Sequence, residues 1–370
     1  EVADVKEWIW SASVSPDGYL ALGLDDGTVH LYSLGLRPVY SQYRTAFALR
    51  TELTKVQLRI LETDLMEDVE FIKPVQGVSV TETMIAIRFA DEVSAYSFEN
   101  INGHLELNKF GRFDTNFNCN KFFIFSNNYV FCFDKSIKIY SQNGAFTREF
   151  NFSANVNDAA ICSTVPGMEG IVAGLEDGQI VQLFVNHRFT HVLVKHDKPI
   201  KNIAVSMMRS KISVVDSDRR CCVYDAISAA LLYIEEGVDV CAWNELCDDL
   251  IAFSDGEKVS VKPYDLQRIS VNFKGQLIRF SGLTVYAING TALSEIDVSL
   301  ATAVKTLSRA LDFGRAYELA AFGSTEDNWN ELADAALRAR EMNIAVKSAA
   351  HSRNIKLLHF IEQMSHLITD

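Results

Sequence analysis

The sequence lacks the features that mark several large protein classes. No stretch of its 370 residues approaches the roughly 18 consecutive apolar residues of a membrane-spanning helix. The phosphate-binding G-x-x-x-x-G-K-[ST] loop, the H-E-x-x-H zinc motif and the G-x-S-x-G nucleophile motif are also missing. These absences argue against the commonest NTPases, zinc proteases and α/β hydrolases. We therefore predict no catalytic residue and no enzymatic activity.

Positive charge and paired cysteines are scarce as well. Lys and Arg number 35 against 48 Asp and Glu, so the net charge is −13. An acidic surface repels phosphate and anionic lipid, and we expect neither nucleic acid nor membrane as a direct partner. The seven cysteines include no C-x-x-C pair and lie mostly in apolar runs. They are typical of buried free thiols in a reducing compartment, and we predict no metal and no other cofactor.

What the chain does contain is a repeated hairpin. GLDDGTVHLY (23–32) and GLEDGQIVQLF (174–184) both place an acid-Asp-Gly turn between apolar runs. Similar turns occur in ADEVSAYSF (90–98), DKSIKIY (134–140), DSDRRCCVYD (216–225), SDGEKVSVK (254–262) and NGTALSEIDV (289–298). Asp91, Asp134, Asp177, Asp218 and Asp255 follow one another at intervals of 43, 43, 41 and 37 residues. A period near 40 is that of a propeller blade.

The fold class that this pattern predicts is mainly β, a seven-bladed WD40-like β-propeller over residues 1–298. The longer first interval, from Asp26 to Asp91, is interpreted as an insertion near 35–66. We expect residues 2–6 to supply the last strand of the seventh blade, which would hide an open sheet edge. Asp26, Asp177 and Asp255 are interpreted as turn-forming residues.

Residues 299–370 differ in composition, with 13 alanines and no proline. Val304, Leu307 and Leu311 recur at helical spacing, Gly323 predicts a helix stop, and Ser324 predicts the start of the next helix. Four or five helices are expected, the opening of an α-solenoid. Because such repeats bury their faces by stacking, the uncovered face from Leu357 to Met364 suggests that the natural protein continues with more helices.

Three side-chain groups were considered as sites. His187 and His191 lie too far apart on one strand, about 13 Å, to share a zinc ion. The Phe-rich segment 112–133 and the residues Trp8, Trp10 and Trp243 are expected to pack within or between blades.

One locally basic stretch, NHRFTHVLVKHDKPIKN (186–202), predicts a possible protein-contact patch. Its members are Arg188, Lys195, Lys198 and Lys201, and the alternative is a solvated blade edge protected against strand addition.

Three functions are compatible with a propeller followed by a solenoid. The first is a non-catalytic scaffold or transport-coat subunit. The second is a substrate-recruiting adaptor, and the third is a propeller enzyme, for which no repeated inward-facing ligands are visible.

Several segments resemble the intraflagellar transport protein 122 family of complex A subunits. They are EWIWSASVSPDGYLALGLDDGTVHLYSL (7–34), EGIVAGLEDGQIVQLFVNHRFTHVLVK (169–195), KISVVDSDRRCCVYDAISAALLY (211–233), VCAWNELCDDLIAFSDGEKVSVK (240–262) and the helical stretch 316–358. The resemblance implies the second WD40-type propeller and the start of a tetratricopeptide-like solenoid, over residues 299–370. The blade motifs are degenerate, with Tyr224-Asp225 the nearest substitute for a Trp-Asp pair.

The resemblance also implies a function and a location. A family member would act as a scaffold in retrograde ciliary transport and in ciliary entry of membrane proteins. It would be found in the cytoplasm, at the ciliary base and in the cilium or flagellum. Its partners would be other complex A subunits and, indirectly, ciliary membrane cargo and dynein-driven trains. A coatomer-like vesicle-coat subunit or a WD40 substrate-recruiting adaptor is the alternative.

Overall fold

Antiparallel sheets make up most of the chain. The computed structural model describes residues 7–14, 19–33, 38–61, 63, 65–115, 117–125, 127–163 and 170–369. In these residues 30 strands are followed by five helices, and strands that are consecutive in the chain are neighbours in each sheet. The result is eight described sheets of three or four strands. This confirms a mainly β, propeller-like architecture followed by helices.

The strands fall into eight groups in chain order. The first sheet has β1 Ile9–Val14, β2 Tyr19–Leu24 and β3 Val29–Ser33; the second has β4 Tyr40–Tyr43, β5 Ala46–Arg50, β6 Lys55–Ile60 and β7 Leu65–Glu70; the third has β8 Gly77–Val80, β9 Met84–Arg88, β10 Glu92–Ile101 and β11 His104–Asp114; the fourth has β12 Lys121–Phe125, β13 Asn128–Cys132, β14 Ser136–Ser141 and β15 Phe146–Asn151. The fifth has β16 Val156–Ser163, β17 Gly170–Leu175, β18 Gln179–Phe184 and β19 Thr190–Lys195; the sixth has β20 Ile200–Val205, β21 Lys211–Asp216, β22 Arg220–Asp225 and β23 Leu231–Glu236; the seventh has β24 Val240–Trp243, β25 Leu250–Ser254, β26 Lys258–Pro263 and β27 Ile269–Asn272; the eighth has β28 Gln276–Ser281, β29 Thr284–Asn289 and β30 Ala292–Asp297.

The acidic turns lie where the repeat predicts them. Each of the seven turn stretches joins the second and third strand of a sheet. The Asp26 carboxylate accepts the backbone N–H of Thr28 at 2.9 Å, and Asp177 accepts that of Gln179 at 3.1 Å. Asp255 does the same for Lys258 at 2.8 Å. These bonds close the reversal locally, which confirms the turn interpretation of the three aspartates.

The expected insertion near residues 35–66 is wrong. Residues 40–70 form a complete four-stranded sheet, β4 to β7. Its central turn, Thr51-Glu52-Leu53-Thr54, has neither Asp-Gly nor any other glycine, so the repeat search did not register it. With eight described sheets, a count of seven starting from residue 1 is not confirmed. The proposed closing strand at 2–6 lies outside the described residues.

The chain divides into two compact units, residues 1–39 and 40–370. The sheet β1–β3 belongs to the first unit, and the other seven sheets and the helices belong to the second. Within the second unit the last sheet packs against the earliest one. Phe47 on β5 shares a buried cluster with Tyr286 and Ile288 on β29. Arg59 on β6 forms an ion pair with Glu295 on β30 at 2.9 Å. These contacts join the first and the last sheet of the second unit, as expected of a closed propeller.

The helices are short and amphipathic. They are α1 Ala301–Arg309, α2 Phe313–Ala321, α3 Glu326–Arg338, α4 Met342–His351 and α5 Ile355–Thr369. Thr325, rather than Ser324, caps α3 by accepting the N–H of Asn328 at 3.4 Å. Leu311 does not join the buried stripe of Val304 and Leu307; it is 68% exposed and has a positive φ of 63° between α1 and α2. No helix among the described residues is long and apolar enough to cross a bilayer.

One hydrophobic core runs from the last two sheets into the helices. It includes Val285 and Ala287 of β29, Leu307 of α1, Phe313 of α2 and Trp329 of α3. Burial of large apolar side chains contributes about 1.5–3 kcal/mol each. A shared core of this kind couples the helices to the sheets energetically. A domain boundary at residue 298 remains a prediction.

Candidate interaction surfaces

The basic patch divides between the two ends of β19. Lys195, the last residue of β19, lies opposite Gln179, so it is at the end of the sheet where the Asp177-Gly178 turn lies. Lys198 and Lys201 follow in the connection to β20 and in its first residues. Lys198 pairs with Asp218, and Lys201 donates to the Ser217 carbonyl at 3.1 Å. Lys195 is exposed and has no ion pair within the described part of the chain. These three lysines form the lysine end of the hairpin.

Arg188 lies at the opposite end of the same hairpin. It is in the β18–β19 turn, seven residues from Lys195, and an extended strand of that length spans about 20 Å. Its neighbours in the turn are aromatic: the His187 ring is stacked on Phe189 at 5.5 Å and meets Phe184 edge-on at 5.9 Å. The structure therefore brings the three lysines together and places the arginine elsewhere. Whether either end contacts a partner remains a prediction.

Behind the lysine end lies a buried polar network that the sequence reasoning missed. The His196 Nδ1 is 2.8 Å from the Tyr224 hydroxyl, and its Nε2 is 3.3 Å from the Asp216 carboxylate. Asp216 also binds the guanidinium of Arg220 at 2.9 Å and accepts the N–H groups of Arg220 and Asp218. Each charged member therefore has a partner, and the network joins the connection after β19 to β21 and β22 in the next sheet.

The pKa values in this network follow from its contacts. Burial alone would raise the pKa of Asp216, but the hydrogen bonds from the Arg220 backbone and side chain and from His196 lower it below its usual 3.8. Burial raises the pKa of Tyr224 to about 12, so its hydroxyl keeps its proton at neutral pH. Tyr224, the first residue of the Tyr224-Asp225 substitute for a Trp-Asp pair, is thus a member of this buried network.

Two members of this network, His196 and Asp216, are also residue types that can ligate a metal ion. His196, Asp216 and Cys222 have ligand atoms within 4.8 Å of one another, the one such group found among the described residues. However, both imidazole nitrogens already have partners, and the Arg220 guanidinium is bound to the same carboxylate. A divalent cation would have to sit beside that guanidinium. The donor set therefore favours a structural hydrogen-bond network.

The Phe-rich segment packs as the sequence predicts. Phe122 and Phe131 lie in a cluster between the third and fourth sheets, and Phe117 meets Phe131 edge-on at 5.0 Å. Trp243 is buried, and its Nε1 donates to Ser213 Oγ at 2.9 Å. The expectation for the other two tryptophans is wrong: Trp8 is 72% exposed and Trp10 is 70% exposed.

Polar contacts, in addition to the shared core, hold α2 against the sheets. The Tyr264 hydroxyl, in the β26–β27 turn, donates to Glu318 of α2 at 2.8 Å. Arg315 of α2 lies 5.0 Å over the Tyr264 ring and 3.7 Å from Asp265. A Cβ on Gly323, after α2, would meet Leu283 at 2.8 Å, so the chain passes close to the last sheet there. These contacts define the joint between the seventh and eighth sheets and α2.

Comparison with known proteins gives consistent results. The family model described as IFT122 second beta-propeller matches residues 40–293. The intraflagellar transport protein 122 homologs of Homo sapiens and Mus musculus are each 26% identical over 368 residues, and that of Xenopus tropicalis is 25% identical over 367. Each alignment covers 98% of this chain but only 29%, 31% and 31% of the respective relative.

A solved structure supports the fold alone. The crystal structure of Chaetomium thermophilum Raptor matches with a TM-score of 0.53 at 12% identity, over 71% of this chain and 28% of that one. The family match begins at residue 40, where the second compact unit begins, and ends within β30. With more than half of its residues in that match, the chain belongs to the IFT122 second β-propeller family.

Proposed function

We propose that the chain is a non-catalytic scaffold segment of an intraflagellar transport complex A subunit. In this role it supports retrograde ciliary transport and ciliary entry of membrane proteins, at the ciliary base and along the cilium. The observation that carries the proposal is the alignment of 98% of the chain with intraflagellar transport protein 122 homologs. Its partners would be other complex A subunits and, indirectly, membrane cargo and dynein-driven trains.

The proposed mechanism is mechanical. A ring of sheets that pack on both sides is stiff, and the joint at Tyr264 and α2 sets the direction in which the helices leave. The core that includes Val285, Leu307 and Phe313 holds that direction by apolar burial. A partner bound to the helices would then be held at a defined angle to a partner bound to the sheets.

A pull-down tests the assembly. Tagged full-length protein containing this segment is expressed in ciliated cells, and co-purifying proteins are identified by mass spectrometry. We expect other complex A subunits. Recovery of vesicle-coat subunits or of ubiquitin-ligase components in their place would contradict the proposal and favour the coatomer-like or adaptor function.

The joint can be tested with a matched pair of leucines. Leu307→Asp places a charge in the core that links α1 to the sheets, while Leu311→Asp changes an exposed leucine two residues beyond α1. Burying an unpaired carboxylate costs several kcal/mol, so we expect Leu307→Asp to reduce recovery of complex A subunits at least several-fold. Leu311→Asp should leave recovery unchanged. Equal recovery with both variants would show that the orientation of the helices does not matter.

The lysine end of the hairpin is a proposed contact surface for an acidic partner. Lys195 and Lys201 are exposed, whereas Lys198 is already neutralised by Asp218. The double change Lys195→Glu and Lys201→Glu should weaken partner recovery in a salt-dependent way. Arg188→Glu, at the other end of β19, is the control and should have no effect. An equal effect of both would point to net charge rather than to this surface.

A further inference from the structure

Four exposed apolar side chains lie on neighbouring turns at one end of the sixth and seventh sheets. They are Met207 and Met208 in the β20–β21 turn, Ile227 in the β22–β23 turn and Leu246 in the β24–β25 turn. Their exposed fractions are 53%, 69%, 92% and 61%. Because consecutive strands are antiparallel, the first and the third turn of a four-stranded sheet lie at the same end. These four side chains are called the apolar platform.

Hydrogen bonds between the turns hold the platform together. The Ala226 N–H donates to the Ser210 carbonyl at 2.8 Å, which ties the β22–β23 turn to the β20–β21 turn. The Met208 N–H donates to the Asp248 carboxylate at 2.8 Å, which ties the β20–β21 turn to the β24–β25 turn. The apolar side chains therefore project from one connected surface rather than from three independent loops.

The fold does not require apolar residues in these turns. The Arg209 N–H donates to the Ser206 carbonyl at 2.9 Å, so Met207 and Met208 occupy the two central positions of a β-turn. Such positions are ordinarily rich in Gly, Pro, Asn, Asp and Ser. Exposed apolar residues are common singly, but a group of them on adjoining turns is typical of an interaction site, and flexible methionines are frequent at binding surfaces.

A helix of this chain covers the neighbouring turn. The Tyr264 N–H donates to the Asp249 carbonyl at 2.8 Å, so the β26–β27 turn is bonded to the residue that follows Asp248. On that turn α2 is held by the hydrogen bond from Tyr264 to Glu318 and by Arg315 over the Tyr264 ring. The platform thus continues the surface on which α2 lies, and a further helix is the occupant that fits it.

The charges beside the platform indicate what such a helix carries. The charged residues in and next to the three turns are Arg209, Lys211, Asp225, Glu245, Asp248 and Asp249. Each acid is engaged within the chain: Glu245 and Asp249 form ion pairs, and Asp225 and Asp248 accept backbone N–H groups. Arg209 is exposed and forms no ion pair with a described residue. A carboxylate of the partner is therefore the charged group that this surface can still bind.

We propose that the apolar platform docks an amphipathic helix of a partner protein. Apolar residues at i, i+3, i+4 and i+7 of that helix cover the platform, and a Glu or Asp at the edge of its apolar face pairs with Arg209. An anionic membrane is disfavoured as the occupant, because the net charge of the chain is −13.

Site-specific photocrosslinking tests this proposal. Full-length protein containing this segment is expressed in ciliated cells with p-benzoylphenylalanine in place of Met208, Ile227 or Leu246, and crosslinked peptides are identified by mass spectrometry. Leu53 is the matched control position, because it is also 69% exposed but lies in the β5–β6 turn, at the other end of its sheet. We expect the three platform positions to crosslink to one partner segment that has apolar residues at helical spacing and an adjacent acid.

Substitutions at the platform give a second readout. The double change Met207→Ser and Met208→Ser should reduce crosslinking from position 246 at least several-fold and leave Tm unchanged, because both side chains are exposed. Arg209→Glu should reduce it in a salt-dependent way, whereas Leu53→Ser should not change it.

Four results would overturn the proposal: no partner crosslinks above the level at position 53, crosslinks only to a second copy of this chain, crosslinks only to lipid, or a crosslinked segment without an apolar stripe. The identity of the crosslinked protein is a separate outcome. An amphipathic helix from a protein outside complex A would support the docking surface and contradict the proposed function.

Discussion

Two polar sites among the sheets, the cluster of His196, Asp216 and Arg220 and the single side chain of Arg88, differ in whether their charges are compensated. In the cluster of His196, Asp216 and Arg220 the carboxylate has a guanidinium, an imidazole and two backbone N–H groups around it. At Arg88 a cation of similar burial has no partner in the described chain. The first arrangement is one that stabilises a fold, because removal of Arg220 would leave the buried Asp216 carboxylate without its guanidinium partner. The second leaves one guanidinium without a counter-charge in the part of the chain that the structure describes.

The largest expected effect comes from breaking the compensated cluster. Asp216→Ala leaves Arg220, His196 and two backbone N–H groups without their acceptor. We expect a loss of about 2–4 kcal/mol in the free energy of unfolding, because several hydrogen bonds to a charged acceptor are lost while the partly exposed Arg220 guanidinium is solvated by water. Urea unfolding monitored by circular dichroism measures it. A loss below about 1 kcal/mol would mean that the network is not structural.

The same cluster predicts a pH dependence. The folded-state pKa of Asp216 is below its ordinary value of 3.8, so its contribution is complete above that value and is lost as the pH falls through the folded pKa. Asp216→Asn removes the charge at every pH and should cost about 1.5–3 kcal/mol near pH 7. The difference in Tm between wild type and Asp216→Asn should shrink as the pH is lowered from 5 toward 3. A difference that stays constant over this range would contradict the assignment.

A milder substitution in the same cluster tests its neutral hydrogen bond separately from its charged ones. Tyr224→Phe removes one hydroxyl contact to His196, 2.8 Å long, and leaves the charges in place. We expect a loss of about 1 kcal/mol, the usual net contribution of one hydrogen bond. Denaturant unfolding of this variant beside Asp216→Ala separates the neutral contact from the charged ones. Equal losses in the two variants would show that charge compensation is not what distinguishes the cluster.

The smallest effect is expected at Arg88. Arg88→Met keeps most of the side-chain volume and removes an uncompensated charge, so the free energy of unfolding should be unchanged or rise by up to about 1 kcal/mol. The same substitution at the compensated Arg279 would leave Glu245 without its partner and should be destabilising. Comparable destabilisation by both would show that Arg88 is compensated in solution and would remove the contrast between the two arginines.

Local chemistry explains which features could be predicted. The Asp-Gly and related turns were located correctly, because a turn aspartate bonds to backbone two or three residues away, as Asp26 and Asp255 do. The sheet β4–β7 was taken for an insertion because its turn, Thr51–Thr54, carries no such signal. Trp8 and Trp10 were assigned to packing by residue type alone, and their side chains are exposed.

By itself the sequence determined the repeat of short antiparallel strands, the change to helices after about residue 298 and the resemblance that the family match confirms. The strand repeat and the change to helices depend on contacts between residues that are close in the chain. The tertiary structure alone decided the partners of charges. His196 meets Asp216 across 20 residues, Arg188 is separated from Lys195 by the length of a strand, and Arg88 has no partner within the described chain. Whether a charge is compensated depends on which sheets are neighbours in space. Residue patterns within a short stretch of sequence do not determine which sheets these are.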